Sequence, residues 1–210
     1  MNFTEFREKT QDWPLIPARE AVRLGREPQA MRNQLTRWQK RGLLVALKRG
    51  LYLLNARDRK VQPGRFFLSN QLMTPSYISM ESALQYYGFI PEAVADVTAI
   101  TTRKTVRFGN DAGMFLYQHI KPEAFRGFLS KRDESGQEFF IASPEKAVVD
   151  FLYLNLTVFS TAAPDVFRAS YRFQNIERLR PRIIVRWAGL FRNARLESVC
   201  RMFCRVIKEE

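Results

Sequence analysis

Six polar side chains recur at helical spacing near the start of the chain: Gln29, Arg32, Asn33, Thr36, Arg37 and Lys40. At about 100° per residue, Gln29, Asn33, Thr36 and Lys40 share one face, Arg32 and Arg37 flank it, and Met31, Leu35 and Trp38 form an apolar stripe opposite. Gln and Asn each hold a donor beside an acceptor, the pattern that matches an adenine edge, while Arg can grip guanine or phosphate. The face therefore suits a DNA major groove. Lys48-Arg49-Gly50 follows closely, a basic turn between two apolar runs, and a basic hairpin tip of this kind can lie against an adjacent backbone or minor groove. A single basic helix is often just a solvated face. Here the polar face, the basic turn and the local charge agree with one another.

The remaining candidates for chemistry are weaker. Glu81, Glu92, Glu145 and Asp150 lie near expected helix starts, where carboxylates commonly serve the helix dipole. A metal-dependent nuclease would want clustered carboxylates and a Lys, and Glu138, Glu145 and Lys146 are the nearest set. Glu145 and Lys146 are adjacent at a helix start and would point in different directions, which argues against that set. His119, the single histidine, falls in an apolar strand pattern without Cys or His at ligand spacing, and a structural role is expected. Cys200 and Cys204 sit four apart on an apolar stripe and read as a reduced pair in a core. Tyr86 and Tyr87 read as half-buried helix residues. No P-loop, HExxH or glycine-rich dinucleotide motif occurs. The expectation is a protein that is not an enzyme, with no catalytic residues, no cofactor and no metal.

The elements that must position these groups follow from punctuation. Phe3, Phe6 and the Trp13-Pro14 stop predict a first helix; Pro17 to Leu24, ended by Gly25, predicts a second; Pro28 to about Arg41, ended by Gly42, predicts a third. With the hairpin around Lys48-Arg49-Gly50, residues 1–60 are expected to form a winged helix-turn-helix DNA-binding domain. The polar stretch 55–64 closes on Pro63-Gly64 and reads as a linker. Residues 65–210 are then expected to form an α+β domain with antiparallel strands and a helical C-terminus. Its predicted helices cover 66–73 and 79–87, the second with Ser79 as N-cap and Gly88 as its end. Predicted strands cover 97–102, 105–108, 114–120, 125–130 and 138–142, and Ser143-Pro144 opens an apolar helix. From Ala163 the pattern is helical, and Leu196, Val199, Cys200, Phe203, Val206 and Ile207 make one stripe. Arg195, Arg201, Arg205 and Lys208 decorate the rest of that last helix, after Arg178, Arg180, Arg182, Arg186 and Arg192. This basic end either contacts a polyanion or partner or is simply solvated.

Composition sets the outer bounds. The 210 residues are 46% hydrophobic and 13% aromatic, which excludes a disordered or fibrous chain. Net charge is +13, and it is unevenly placed: residues 1–60 hold 14 Lys and Arg against 6 Asp and Glu, residues 61–160 hold 9 against 10, and residues 161–210 hold 11 against 5. Basic ends around a neutral middle favour a polyanionic partner. No run approaches the length of a spanning helix, and Met1-Asn2-Phe3-Thr4-Glu5 lacks the features of a signal peptide, so a cytoplasmic protein without a membrane partner is expected.

Three stretches together resemble a known family. They are Leu47-Lys48-Arg49-Gly50-Leu51-Tyr52; Tyr77-Ile78-Ser79-Met80-Glu81-Ser82-Ala83-Leu84 leading into Tyr87-Gly88-Phe89-Ile90-Pro91-Glu92; and Ser143-Pro144-Glu145-Lys146-Ala147-Val148-Val149-Asp150. In order and spacing, over residues 43 to about 155, they are similar to the AbiEi family, the antitoxins and transcriptional repressors of bacterial type IV abortive-infection toxin-antitoxin systems, which act in phage defence. The resemblance implies a winged helix bound to double-stranded DNA at the operator of its own promoter. It also implies a following domain that counters a cognate nucleotidyltransferase-like toxin, which the antitoxin need not hold in a stable complex. Two other readings stay open on the residues alone: a winged-helix regulator unconnected to a toxin, and a nucleic-acid-processing enzyme.

Overall fold

Asn2 starts the first helix, α1 (Phe3–Thr10), with a reciprocal cap: its Oδ1 accepts from the Glu5 backbone N–H at 2.9 Å while the Glu5 carboxylate accepts from the Asn2 N–H. A computed structural model describes residues 1–159, 166–169 and 171–208. The helical start expected at Ala163 lies outside the described residues. The protein is mixed α+β, with two sheets. Contacts divide it into two units, one of residues 1–68 together with 109–113 and 132–138, the other of residues 69–108, 114–131 and 139–210.

In the first unit, α1 is followed by β1 (Ile16–Pro17), α2 (Ala18–Arg23), α3 (Pro28–Lys40), β2 (Leu44–Lys48) and β3 (Leu51–Leu54). Pro28 occupies the first turn of α3, where a missing N–H costs no helical bond. Helix α2 starts at Ala18, one residue later than expected, because Pro17 is its N-cap with an extended backbone that pairs as β1 with Leu51. The sheet order is β1-β3-β2, all antiparallel, with Ile16 opposite Tyr52 and Leu44 opposite Leu54. A core of Phe6, Ile16, Ala21, Met31, Leu35, Trp38, Leu44 and Leu54 joins helices to sheet. Trp38 packs its indole against Phe6 at 4.8 Å and edge-on to Phe3 at 5.5 Å. Burying such a ring stabilises the unit by about 2–3 kcal/mol before packing effects.

The polar stretch 55–64 is fastened within this unit. Asn55 Oδ1 accepts from the Arg57 and Asp58 N–H groups, the Lys60 N–H donates to Gln11 O at 2.9 Å, Ser135 Oγ donates to Gln62 O at 2.7 Å, and the Gly64 N–H donates to Asp133.

The second sheet has the order β6-β7-β5-β4-β9-β8, built from β4 (Ser76–Ile78), β5 (Val97–Thr101), β6 (Val106–Asn110), β7 (Gly113–His119), β8 (Phe128–Arg132) and β9 (Glu138–Ala142). The expectation of antiparallel hairpins needs correction. β4 and β5 are antiparallel, but β5 runs parallel to β7 and β4 parallel to β9. There are two physical reasons: β4, a three-residue strand that is all buried, inserts between β5 and β9 and takes both as partners, and β6 lies at the edge beyond β7, which leaves β7 beside β5. The expected strand at 125–130 starts later, at Phe128, because Pro122–Ala124 forms a 3-10 turn before it.

The helices of this chain region are α4 (Arg65–Leu72), α5 (Met80–Tyr86), α6 (Pro144–Leu154), α7 (Leu156–Phe159), α8 (Val166–Ala169), α9 (Pro181–Gly189) and α10 (Ala194–Lys208). Every residue of α6 from Glu145 to Leu152 is buried, as expected for a helix covered on all sides; α5, α9 and α10 pack on it. Ser143 caps α6 by accepting from the Lys146 N–H. No helix among the described residues is long and apolar enough to cross a membrane.

Candidate nucleic-acid interface

The α3 face is set by the core beneath it. Met31, Leu35 and Trp38 are buried, and Gln29, Arg32, Asn33, Thr36, Arg37 and Lys40 are all exposed on the side away from them. Four of the exposed residues are already organised along the helix: Gln29 Nε2 donates to Asn33 Oδ1 at 3.3 Å, Arg32 donates to Gln29 Oε1 at 3.3 Å, and Thr36 Oγ1 donates back to Arg32 O at 3.1 Å. The amide edges of Gln29 and Asn33 therefore lie side by side, with Arg32 steadying the pair. Such i, i+4 and i, i+3 contacts contribute only a few tenths of a kcal/mol each, little enough to be exchanged for a better partner.

The hairpin is short. Lys48 lies opposite Leu51, so Arg49-Gly50 is a two-residue turn, and Gly50 takes φ +78°, a conformation that a side chain disfavours. Its register shifts between Ala46 and Lys48, an irregularity that turns the strand end. The Ala18 N–H donates to Gly50 O at 2.8 Å, pinning the turn to the start of α2. Arg49 is exposed at the tip and Lys48 is half-buried. The six α3 groups thus share one exposed helix surface, while Lys48 and Arg49 stand on a separate element of the same unit.

The carboxylates and the lysine of the second unit occupy a different setting. Lys146 and Asp150 are wholly buried and paired. Asp150 also accepts from Tyr77 Oη at 2.9 Å and Ser79 Oγ at 2.8 Å, and Lys146 donates to Tyr77 Oη at 2.9 Å. Burial pushes the Tyr77 phenol well above its usual range, and the Asp150 carboxylate adds to this. Burial pulls the Lys146 ammonium down, against the attraction of Asp150. Two expectations change. Ser79 stands at the N-cap of α5, but its hydroxyl accepts no cap bond and instead donates to Asp150. Asp150 lies well inside α6 and serves this network, not the helix dipole.

Glu145, 2% exposed, accepts from Arg180 Nε at 2.7 Å, while its Oε2 has no partner among the described residues. Glu145 and Lys146 thus turn to different partners, and Glu138 is exposed on β9. Glu81 is half-buried in the first turn of α5, and Glu92 is exposed and paired with Arg172 at 3.6 Å. His119 is exposed at the end of β7, its Nδ1 3.0 Å from Arg103 O, and so is a surface residue in spite of the apolar strand around it. Tyr87 is half-buried and donates to Ala142 O at 2.8 Å, but Tyr86 is 47% exposed, more than expected. Cys200 and Cys204 are free and buried. Among the described residues, no group of three or more His, Cys, Asp or Glu is placed to hold a metal ion.

Sequence reasoning missed Tyr77 and Ser79 as partners of the buried pair. The i, i+4 spacing of Lys146 and Asp150 was a visible signal, but the hydroxyls arrive from about 70 residues away through the β4 insertion. No known family's sequence profile matches the chain, and a search of curated proteins finds no significant match.

Proposed function

We propose that this chain is a DNA-binding transcriptional repressor whose first unit is a winged helix-turn-helix, with α3 as the helix that enters the major groove and the Lys48-Arg49 hairpin as the wing. The observation that carries the reading is the exposed run Gln29, Asn33, Thr36 and Lys40, flanked by Arg32 and Arg37, directly opposite the buried Met31, Leu35 and Trp38. The order of helices and antiparallel strands, and the net +8 of residues 1–60, support it. In this reading the α3 amides read base edges, and Arg49 and Lys48 hold phosphates.

The antitoxin half of the proposal rests on the AbiEi-like stretches between residues 43 and 155. Under it, the second unit counters a nucleotidyltransferase-like toxin encoded beside this chain, and the protein is not an enzyme. The buried Lys146–Asp150–Tyr77–Ser79 network supports a structural role for the best-defined polar cluster there, since its members are buried and mutually bonded.

The test is binding of the full chain to duplex DNA from its own upstream region, by footprinting and by titration in salt. With about six phosphates contacted, affinity falls about a thousandfold or more between 50 and 200 mM salt. A flat salt response, or no protected stretch, overturns the reading. Co-expression with the adjacent toxin tests the second half, and undiminished toxicity overturns it.

A further inference from the structure

Four cations gather at a groove of about 460 Å³ between α9 and the end of α10: Arg182, Arg201, Arg205 and Lys208, over a floor of Pro181, Val185 and Cys204. No described Asp or Glu lines it. Arg201 also pairs with Glu197 at 3.5 Å, a surface contact worth little and readily given up. Arg201, Arg205 and Lys208 follow one another along α10 at i, i+4 and i+7, a row of positive charge about 10 Å long. Val185 is 45% exposed, so the floor offers apolar surface to a ligand.

We infer that this groove holds an unpaired nucleic-acid strand, with the α10 cations on successive phosphates and a base laid over Val185 between guanidinium planes. Four cations with no described carboxylate in the groove lining, Arg201 alone holding a surface pair to Glu197, favour an anion, and three of the four are Arg, whose flat guanidinium both grips phosphate and stacks on bases. A groove with an apolar floor suits an unstacked base, which a duplex does not expose. An anionic membrane is the poorer fit: the apolar stripe of α10, including Val199, Phe203, Val206 and Ile207, is buried in the protein, leaving little surface to insert. The site is in the second unit and its ligand is single-stranded, so it stands apart from the duplex reading of α3.

The experiment uses the full chain and a labelled mixed-sequence 12-mer, as RNA and as DNA, with a 12-base-pair duplex as comparison. Three contacted phosphates give a fall in affinity of about twentyfold between 50 and 200 mM salt. The double variant Arg201→Gln, Arg205→Gln weakens single-strand binding about tenfold or more and flattens the salt slope by about 1.4. Val185→Glu, on an exposed position whose fold is checked by circular dichroism, weakens it as well. The triple variant Arg32→Ala, Arg37→Ala, Lys40→Ala keeps single-strand binding whether or not α3 binds duplex. The inference is overturned if the groove variants bind either 12-mer as the parent does. It is equally overturned if polyglutamate displaces the strand at equal charge, or if those variants lose only binding to phosphatidylserine vesicles.

Discussion

Lys146 and Asp150 face each other one turn apart on α6, both without solvent exposure, and the hydroxyls of Tyr77 and Ser79 close the set around the carboxylate. A buried ion pair stripped of one member leaves an uncompensated charge, which costs about 3–5 kcal/mol. Asp150→Leu is therefore expected to destabilise the chain by that amount, since it strands Lys146 and deprives two hydroxyls of their acceptor. Lys146→Met leaves Asp150 with two donors and is expected to cost less. Urea unfolding followed by circular dichroism measures both. Changes under about 1 kcal/mol for Asp150→Leu would show that the network is dispensable for folding and return it to consideration as a reactive site.

For α3, the proposed roles separate reading from gripping. Asn33→Ala removes one amide from the pair with Gln29 and is expected to cost about 1–3 kcal/mol on the true operator and little on random duplex. Arg49→Ala and Lys48→Ala are expected to weaken binding to both DNAs alike and to lower the salt slope by about 1 each. Competition binding on operator and scrambled duplexes distinguishes them. Equal losses on both duplexes for Asn33→Ala would assign that face to phosphate contact.

Much of the first unit was legible because its signals are local. Pro28, Gly42 and the Met31, Leu35, Trp38 stripe fix α3 within a residue of its observed ends, and the buried face of α10 carries the residues its periodicity picks out. What was not legible is non-local. β1 is two residues long and contains a proline, and β4 is three residues long, so neither makes a pattern of its own; each becomes a strand only through its partners. The parallel pair β4–β9 follows from that insertion and β5–β7 from β6 lying outside β7, and no periodicity encodes which strand lies beside which. The α9–α10 groove was half legible: its cations were visible as a basic run, but the juxtaposition of Arg182 and Val185 with Arg201 and Lys208 depends on two helices meeting.

Trp38 connects the α3 face to the rest of its unit, since its ring packs on Phe6 and Phe3 while Lys40, two residues on, stands exposed on the opposite face. Trp38→Ala is expected to cost about 3–5 kcal/mol. Duplex binding should fall with the folded fraction, and stabilising osmolyte should restore both together. Loss of binding in a fully folded Trp38→Ala protein, judged by thermal unfolding, would give the indole a direct role and break this link.

The cysteines make a prediction about alkali. Burial pushes the Cys200 thiol up from 9.0 to about 12, and the neighbouring Cys204 adds to this; burial raises Cys204 as well. A thiol whose folded value lies above its unfolded value contributes stability that is intact below about pH 9 and is lost as pH rises toward 12, because the unfolded chain releases the proton first. Tyr87, raised to about 12 by burial, acts in the same sense above pH 10, whereas the lowered Lys146 acts in the opposite sense, adding stability as pH approaches 10.5. Cys200→Ala isolates the thiol: its urea stability is expected to fall less steeply than the parent's between pH 9 and 11. At pH 8, iodoacetamide is expected to label neither thiol at the unfolded rate, with Cys204, 8% exposed, reacting before the fully buried Cys200. Mass spectrometry of the native and urea-unfolded protein reads both sites, and native labelling of Cys200 at the unfolded rate would mean that the α10 stripe does not stay closed over it.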